Sequence, residues 1–164
     1  MKRLIFACII AMSVATAGAL AHEAERHEGD GHEDHAAALG QSGDPGKISR
    51  TIEVEMSDAM RFKPASITVR RGETIKFVLR NTGQVKHEMV LGTLKELKAH
   101  AELMRKFPNM EHADPNMVSV EPAKTGELVW KFTRAGIFNF ACLQPGHFEA
   151  CMVGKVAVKQ CVVV

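Results

Sequence analysis

From residue 48 onward, apolar and polar positions alternate in short runs. Ile48 and the run Thr51-Ile52-Glu53-Val54-Glu55-Met56 have the two-residue period of a strand with one buried face. Residues 57–64 carry turn-forming types and read as a crossing. Residues 65–70 alternate again, and Arg71-Gly72-Glu73 reads as a turn. The next run, 74–80, puts Ile75, Phe77 and Leu79 on one face and stops at Asn81-Thr82-Gly83. A short strand is expected from His87 to Leu91. The period then changes: Leu94, Leu97, Ala101 and Met104 recur at helical spacing across 93–107. Thr93 is placed to cap this helix, with Glu96 three residues on, and Pro108 closes it. Strand patterns return at 117–120, 127–132, 136–141 and 153–158. Trp130, alternating with Leu128 and Phe132, is expected in the core. Seven or eight short strands at this spacing predict an all-β chain, an antiparallel β-sandwich with a helical insertion near 93–107.

Ahead of residue 48 the alternation is missing, and composition takes over. Lys2 and Arg3, an apolar run over 4–14 and the small-x-small triplet Ala19-Leu20-Ala21 read as a secretory signal over residues 1–21. The mature chain is therefore expected to start at His22 and to lie outside the cytoplasm. The apolar run is too short to be a stable membrane anchor, and Cys8 is expected to leave with the signal. Residues 22–46 are polar, rich in His and acid, and read as a flexible leader unable to bury enough surface to fold alone. Residues 47–164 form the expected domain, and a chain of 164 residues suits one domain. The formal charge of +2 hides an asymmetry: 22–45 carry seven acids against Arg26, leaving the rest of the mature chain at +6. That excess is spread out, with no basic block or groove-reading motif, which argues against nucleic acid as a partner.

The candidate chemistry lies in Cys142-Leu-Gln-Pro-Gly-His147-Phe-Glu-Ala-Cys151-Met152. A thiolate, an imidazole and a thioether recur there at five-residue intervals. Pro145-Gly146 makes a tight turn that lets Cys142 and His147 face one ion. A second imidazole is needed, and His87 is the best supplier. Soft sulfur with nitrogen suits copper that moves between two oxidation states; with zinc the thioether would serve little purpose. His22, His27, His32 and His35, half of the eight histidines, lie in the leader among carboxylates. They form a secondary metal-capturing group for Cu(II), Ni(II) or Zn(II), the other reading being a plain acidic linker. Met89, Met104, Met110 and Met117, with His100 and His112, gather around the helical stretch. Packing is preferred there over a second Cu(I) surface.

A Cys-x4-His-x4-Met loop after a strand, with an upstream His beside an Asn-Thr-Gly turn, resembles a cupredoxin of the plastocyanin/azurin type. The similarity covers roughly residues 48–160 and is strongest to periplasmic copper-tolerance members with a His-rich leader. It implies a Greek-key sandwich and one mononuclear type 1 copper. His87, Cys142 and His147 would form a near-trigonal set, and Met152 a long axial ligand. It also implies that His87 is buried and that His147 sits near the surface as the electron port. Two departures stand out. Glu88 takes the place of an Asn that ties the ligand loops together in many small members, so a bond from Glu88 to a backbone amide is one replacement. Cys151 takes the place of a small residue, usually Gly; it reads as an ectopic ligand, a site of oxidation or, most commonly for a free cysteine, a buried small side chain. Cys151 and Cys161 are expected as free thiols in the monomer, because an extended strand between them would span about 33 Å, far beyond disulfide reach; a bridge between two chains through Cys161 is the alternative. The implied function is copper tolerance with one-electron redox, by a copper carrier rather than an enzyme and with a redox partner protein. The alternatives are a respiratory electron shuttle or, with less support, a subunit of a copper oxidase or nitrite reductase. Those enzymes need several further histidines, usually as His-x-His pairs; the folded part has only His87, His100, His112 and His147 and no such pair.

Overall fold

The alternating runs become strands in the computed structural model, which describes residues 39–108, 110 and 113–160. The strands are β1 (Gly40–Ser42), β2 (Arg50–Ser57), β3 (Arg61–Lys63), β4 (Ser66–Arg70), β5 (Thr74–Asn81), β6 (His87–Gly92), β7 (Met117–Val120), β8 (Thr125–Phe132), β9 (Gly136–Ala141) and β10 (Val153–Lys159). One helix, α1 (Leu94–Lys106), separates β6 from β7.

Two five-stranded sheets result, with orders β1-β8-β5-β2-β3 and β4-β10-β9-β6-β7. Most ladders are antiparallel, but β2 runs parallel to β5 and β4 parallel to β10. The expected sandwich is therefore present with two parallel seams. Two three-residue strands escape the sequence pattern. β3 falls in the stretch read as a crossing, and its Phe62 is buried. β1 falls in the stretch read as leader, pairs with β8, and follows the buried Leu39. The sandwich thus starts before residue 47.

The main core fills the space between the sheets. Val54 and Met56 of β2, Ile75, Phe77 and Leu79 of β5, and Leu128, Trp130 and Phe132 of β8 meet Phe138 and Phe140 of β9 and Val156 and Val158 of β10. Alternation puts all of these on inner faces. Phe62 and Phe140 meet edge to face at 4.9 Å, a geometry favoured by the ring quadrupoles.

The helix adds a second, smaller core on the outside of one sheet. Thr93 accepts from the Glu96 amide, and the Glu96 side chain accepts from the Thr93 amide, so the expected capping box forms. Leu97, Ala101 and Met104 pack on Val90, Ala141 and Leu143. β6 is buried along its whole length: Val90 packs under the helix, Met89 and Leu91 lie in the main core, and His87 and Glu88 are out of water. Met89 and Met104 are core residues and Met117 packs partly buried against the smaller core, as the packing reading expects, while Met110 is exposed. His112 lies outside the described residues.

Candidate metal centre

The loop between β9 and β10 is pinned at its base, where the Cys142 amide donates to the Met152 carbonyl at 3.1 Å. Within it the His147 amide donates to Gln144 O (2.9 Å) and the Met152 amide to His147 O (3.0 Å). Gly146 takes φ +86, a turn conformation that Gly adopts without steric cost. Cys151 takes φ +64, which explains why a residue without a Cβ suits that position better. Its thiol is free and exposed, which corrects the expectation of a buried small side chain: the positive-φ turn turns the residue to the surface. Arg61, the first residue of β3, donates to Ala150 O at 3.1 Å and ties the loop to the opposite sheet.

His87 opens β6, next to β9 in the sheet. Its Nδ1 lies 3.9 Å from Cys142 Sγ, and His147 Nδ1 lies 3.2 Å from the same sulfur. The two rings are 4.9 Å apart between centroids. The three donor atoms all fall within 4.8 Å of one another. An ion bonded at about 2.0–2.3 Å to such atoms requires pairs no further apart than roughly 4.6 Å, and both sulfur–nitrogen separations meet that limit. One thiol and two imidazoles in a mostly buried setting therefore fit a borderline-soft ion such as copper. Met152 is fully buried in the same core as Cys142. His87 is buried and His147 half-buried.

Burial pushes the Cys142 thiol up to about 12, and the Glu88 carboxylate adds to the effect against the amides of Glu88 and Gln144. A metal cation would reverse that preference by replacing the proton. Burial, and then the nearby His87, hold His147 below the ordinary histidine range. That shift favours the neutral ring, the form that ligates.

Behind the donors stand two carboxylates. Glu88 is buried, and its oxygens accept from the Leu143 amide (3.1 Å), Gln144 Nε2 (2.9 Å) and Ser119 Oγ (3.2 Å). Its own amide donates to Cys142 Sγ at 3.4 Å. The expected bond from Glu88 to a backbone amide is therefore made, and it joins the His87 strand to the Cys142 loop. The other carboxylate, Asp58, lies in the turn after β2 and contacts His87 Nε2 at 3.0 Å. The Gln84 amide, and to a lesser extent His87, hold Asp58 below the usual carboxylate range. Sequence reasoning missed Asp58, because nothing local distinguishes a turn aspartate 29 residues from its partner. His22, His27, His32, His35 and Cys161 lie outside the described residues.

The family described as copper binding proteins, plastocyanin/azurin family, matches residues 49–159. A copper-resistant cuproprotein CopI of Rubrivivax gelatinosus is 54% identical over 154 residues, covering 93% of each chain. Proteins of the same name from Pseudomonas aeruginosa and Vibrio cholerae are 36% and 34% identical, covering 76% and 90% of this chain and 84% and 95% of theirs. Among solved structures, a dithionite-reduced auracyanin from Roseiflexus castenholzii superposes with TM-score 0.58 at 21% identity, covering 68% of this chain and 98% of that one. Auracyanin B gives 0.60 at 19%, covering 74% and 96%. At that identity the likeness concerns the fold.

Proposed function

Because the chain belongs to the plastocyanin/azurin family of copper-binding proteins, we propose that it is a periplasmic cuproprotein of copper tolerance whose type 1 copper is held by His87, Cys142, His147 and Met152. The observation that carries the ligand set is the meeting of His87, Cys142 and His147, with Met152 closing the base of their loop. Copper in such a set supplies a one-electron couple, the sulfurs suiting Cu(I) and the imidazoles also accommodating Cu(II). The chain's part is to hold the donors still. β6 fixes His87 between two cores, and the Glu88 bonds lock the Cys142 loop onto that strand. Little rearrangement is then needed between the two states. His147, the half-buried donor, is the point where a redox partner protein would make contact.

Copper tolerance is supported by relatives named copper-resistant cuproproteins, and that naming also supports a carrier over an enzyme. The periplasmic location rests on the signal-like residues 1–21. The leader, which ends ahead of Leu39 and β1, is assigned copper capture through His22, His27, His32 and His35. Among the described residues no helix is long and apolar enough to cross a membrane.

The test is metal analysis with visible and electron-spin spectra of the copper-loaded protein. One copper per folded domain and an intense thiolate-to-copper band are expected, and Cys142→Ala should abolish the band. A band that survives this substitution refutes the ligand set.

A further inference from the structure

We propose that Asp58 is a positioning residue for His87: it holds the ring as the Nε2–H tautomer with Nδ1 toward Cys142, and its negative charge favours Cu(II) over Cu(I) at the centre. The inference rests on the ligand set proposed above.

Three observations carry it. First, His87 is fully buried, and its Nε2 meets Asp58 Oδ1 at 3.0 Å while its Nδ1 faces Cys142 Sγ. An ionised carboxylate can only accept, so the ring must donate from Nε2, which leaves the Nδ1 lone pair for a metal.

Second, the carboxylate is itself held. Its Oδ2 accepts from the Gln84 amide at 2.7 Å. That amide belongs to a loop fixed by the buried Asn81, whose Nδ2 donates to Val85 O (2.8 Å) and Val120 O (2.9 Å) and whose Oδ1 accepts from the Gly83 amide. The Thr82 amide binds Met56 O at 2.9 Å, so the same loop is fastened to the end of β2 beside Asp58.

Third, Gly83 is the residue that makes room: a Cβ there would collide with Asp58 Oδ1 and the carboxyl carbon. The turn after β2, the 81–85 loop and the first residue of β6 therefore converge on one carboxylate. A carboxylate on the far nitrogen of a ligating imidazole fixes its orientation and raises its basicity, and an added negative charge stabilises the more positive oxidation state.

The competing role for Asp58 is purely structural, as a cap on the 81–85 turn. Asp58→Ala and Asp58→Asn separate the two. In the copper-free protein, ¹⁵N NMR should show His87 as one Nε2–H tautomer. Asp58→Ala should give a tautomer mixture, and Asp58→Asn, which keeps an acceptor oxygen, should restore the single form. In the copper-loaded protein, Asp58→Ala should weaken Cu(II) about 10- to 100-fold. The reduction potential should rise by about 59 mV per tenfold loss relative to Cu(I), and Asp58→Asn should rise less. An unchanged tautomer and potential in both variants, with only a lower melting temperature, would reduce Asp58 to a turn cap and overturn the proposal. Should the alanine variant fail to fold, Asp58→Asn alone still decides through its potential. The Cys142→Ala spectrum tests the ligand set separately, and the tautomer measurement needs no copper, so the two failures are distinguishable.

Discussion

Burial costs the Cys142 thiolate more than the two amides near it return, and this has a measurable consequence without copper. The folded protein holds the thiol up to about 12, from an ordinary 9.0. Between those values the unfolded chain has released the proton and the folded chain has not. Proton binding is then greater in the folded state, so stability falls as pH rises through this window and is unaffected below it. The full effect is up to about 4 kcal/mol, at 1.36 kcal/mol per unit. Urea unfolding of copper-free protein from pH 8 to 11 should show an alkaline loss that Cys142→Ser lacks, which separates the thiol from the lysines. Glu88 is the residue-scale case where sequence reading came close. Its departure from the usual Asn was visible, and so was its chance of reaching a backbone amide. Its further partners, Gln144 and Ser119, were not, because they depend on how β6 meets β7 and the copper loop.

At the scale of elements, two-residue alternation marked the strands that bury one face, and β5, β7 and β9 fall where it placed them. Helix α1 was equally legible, since Thr93, Glu96 and the apolar spacing all agree. β1 and β3 were not, because three residues are too few for a period. β1 is held by pairing with β8, an interaction of backbone groups that side-chain patterns do not record. The β9–β10 pair deserves its own test because it carries Cys142 and Met152 just past its ends. Gly154 pairs with Phe140 across that seam. A Cβ at Gly154 would run into the Phe140 ring, which is itself packed edge to face on Phe62. Gly154→Ala should therefore cost about 1–3 kcal/mol by overpacking, read as a lower urea midpoint. Phe140→Leu in the same background makes room for the methyl group and should recover part of the loss. Equal stability of Gly154→Ala and wild type would mean that the ring moves aside freely.

For the whole molecule, the meeting of His87, Cys142 and His147 was legible because two of them share one short loop and His87 stands beside a recognisable turn, while Met152 as a fourth donor belongs to the proposal. The Asp58 contact was not, since it arises only when the β2 turn folds against the 81–85 loop. Charge is the other whole-chain property, and here the sequence speaks more than the described residues do. An acidic, His-bearing segment of net −6 ahead of a domain of net +6 leaves the chain after residue 21 charge-balanced overall and concentrates the attraction for cations at one end. If that segment captures copper, removing residues 22–38 takes away His22, His27, His32 and His35 but keeps Leu39 and β1, which belong to the sandwich. Cutting at 46 instead would strip β1 from β8 and mix a folding defect into the result. The shorter deletion should lower copper per chain to about one while leaving the thiolate band and unfolding midpoint unchanged. Replacing only the four leader histidines by alanine should have the same effect, since the carboxylates left behind are hard oxygen donors that hold copper less well than imidazole does. Equal stoichiometry across full-length, truncated and His-replaced proteins would make the leader a plain tether, with copper held at the sandwich alone.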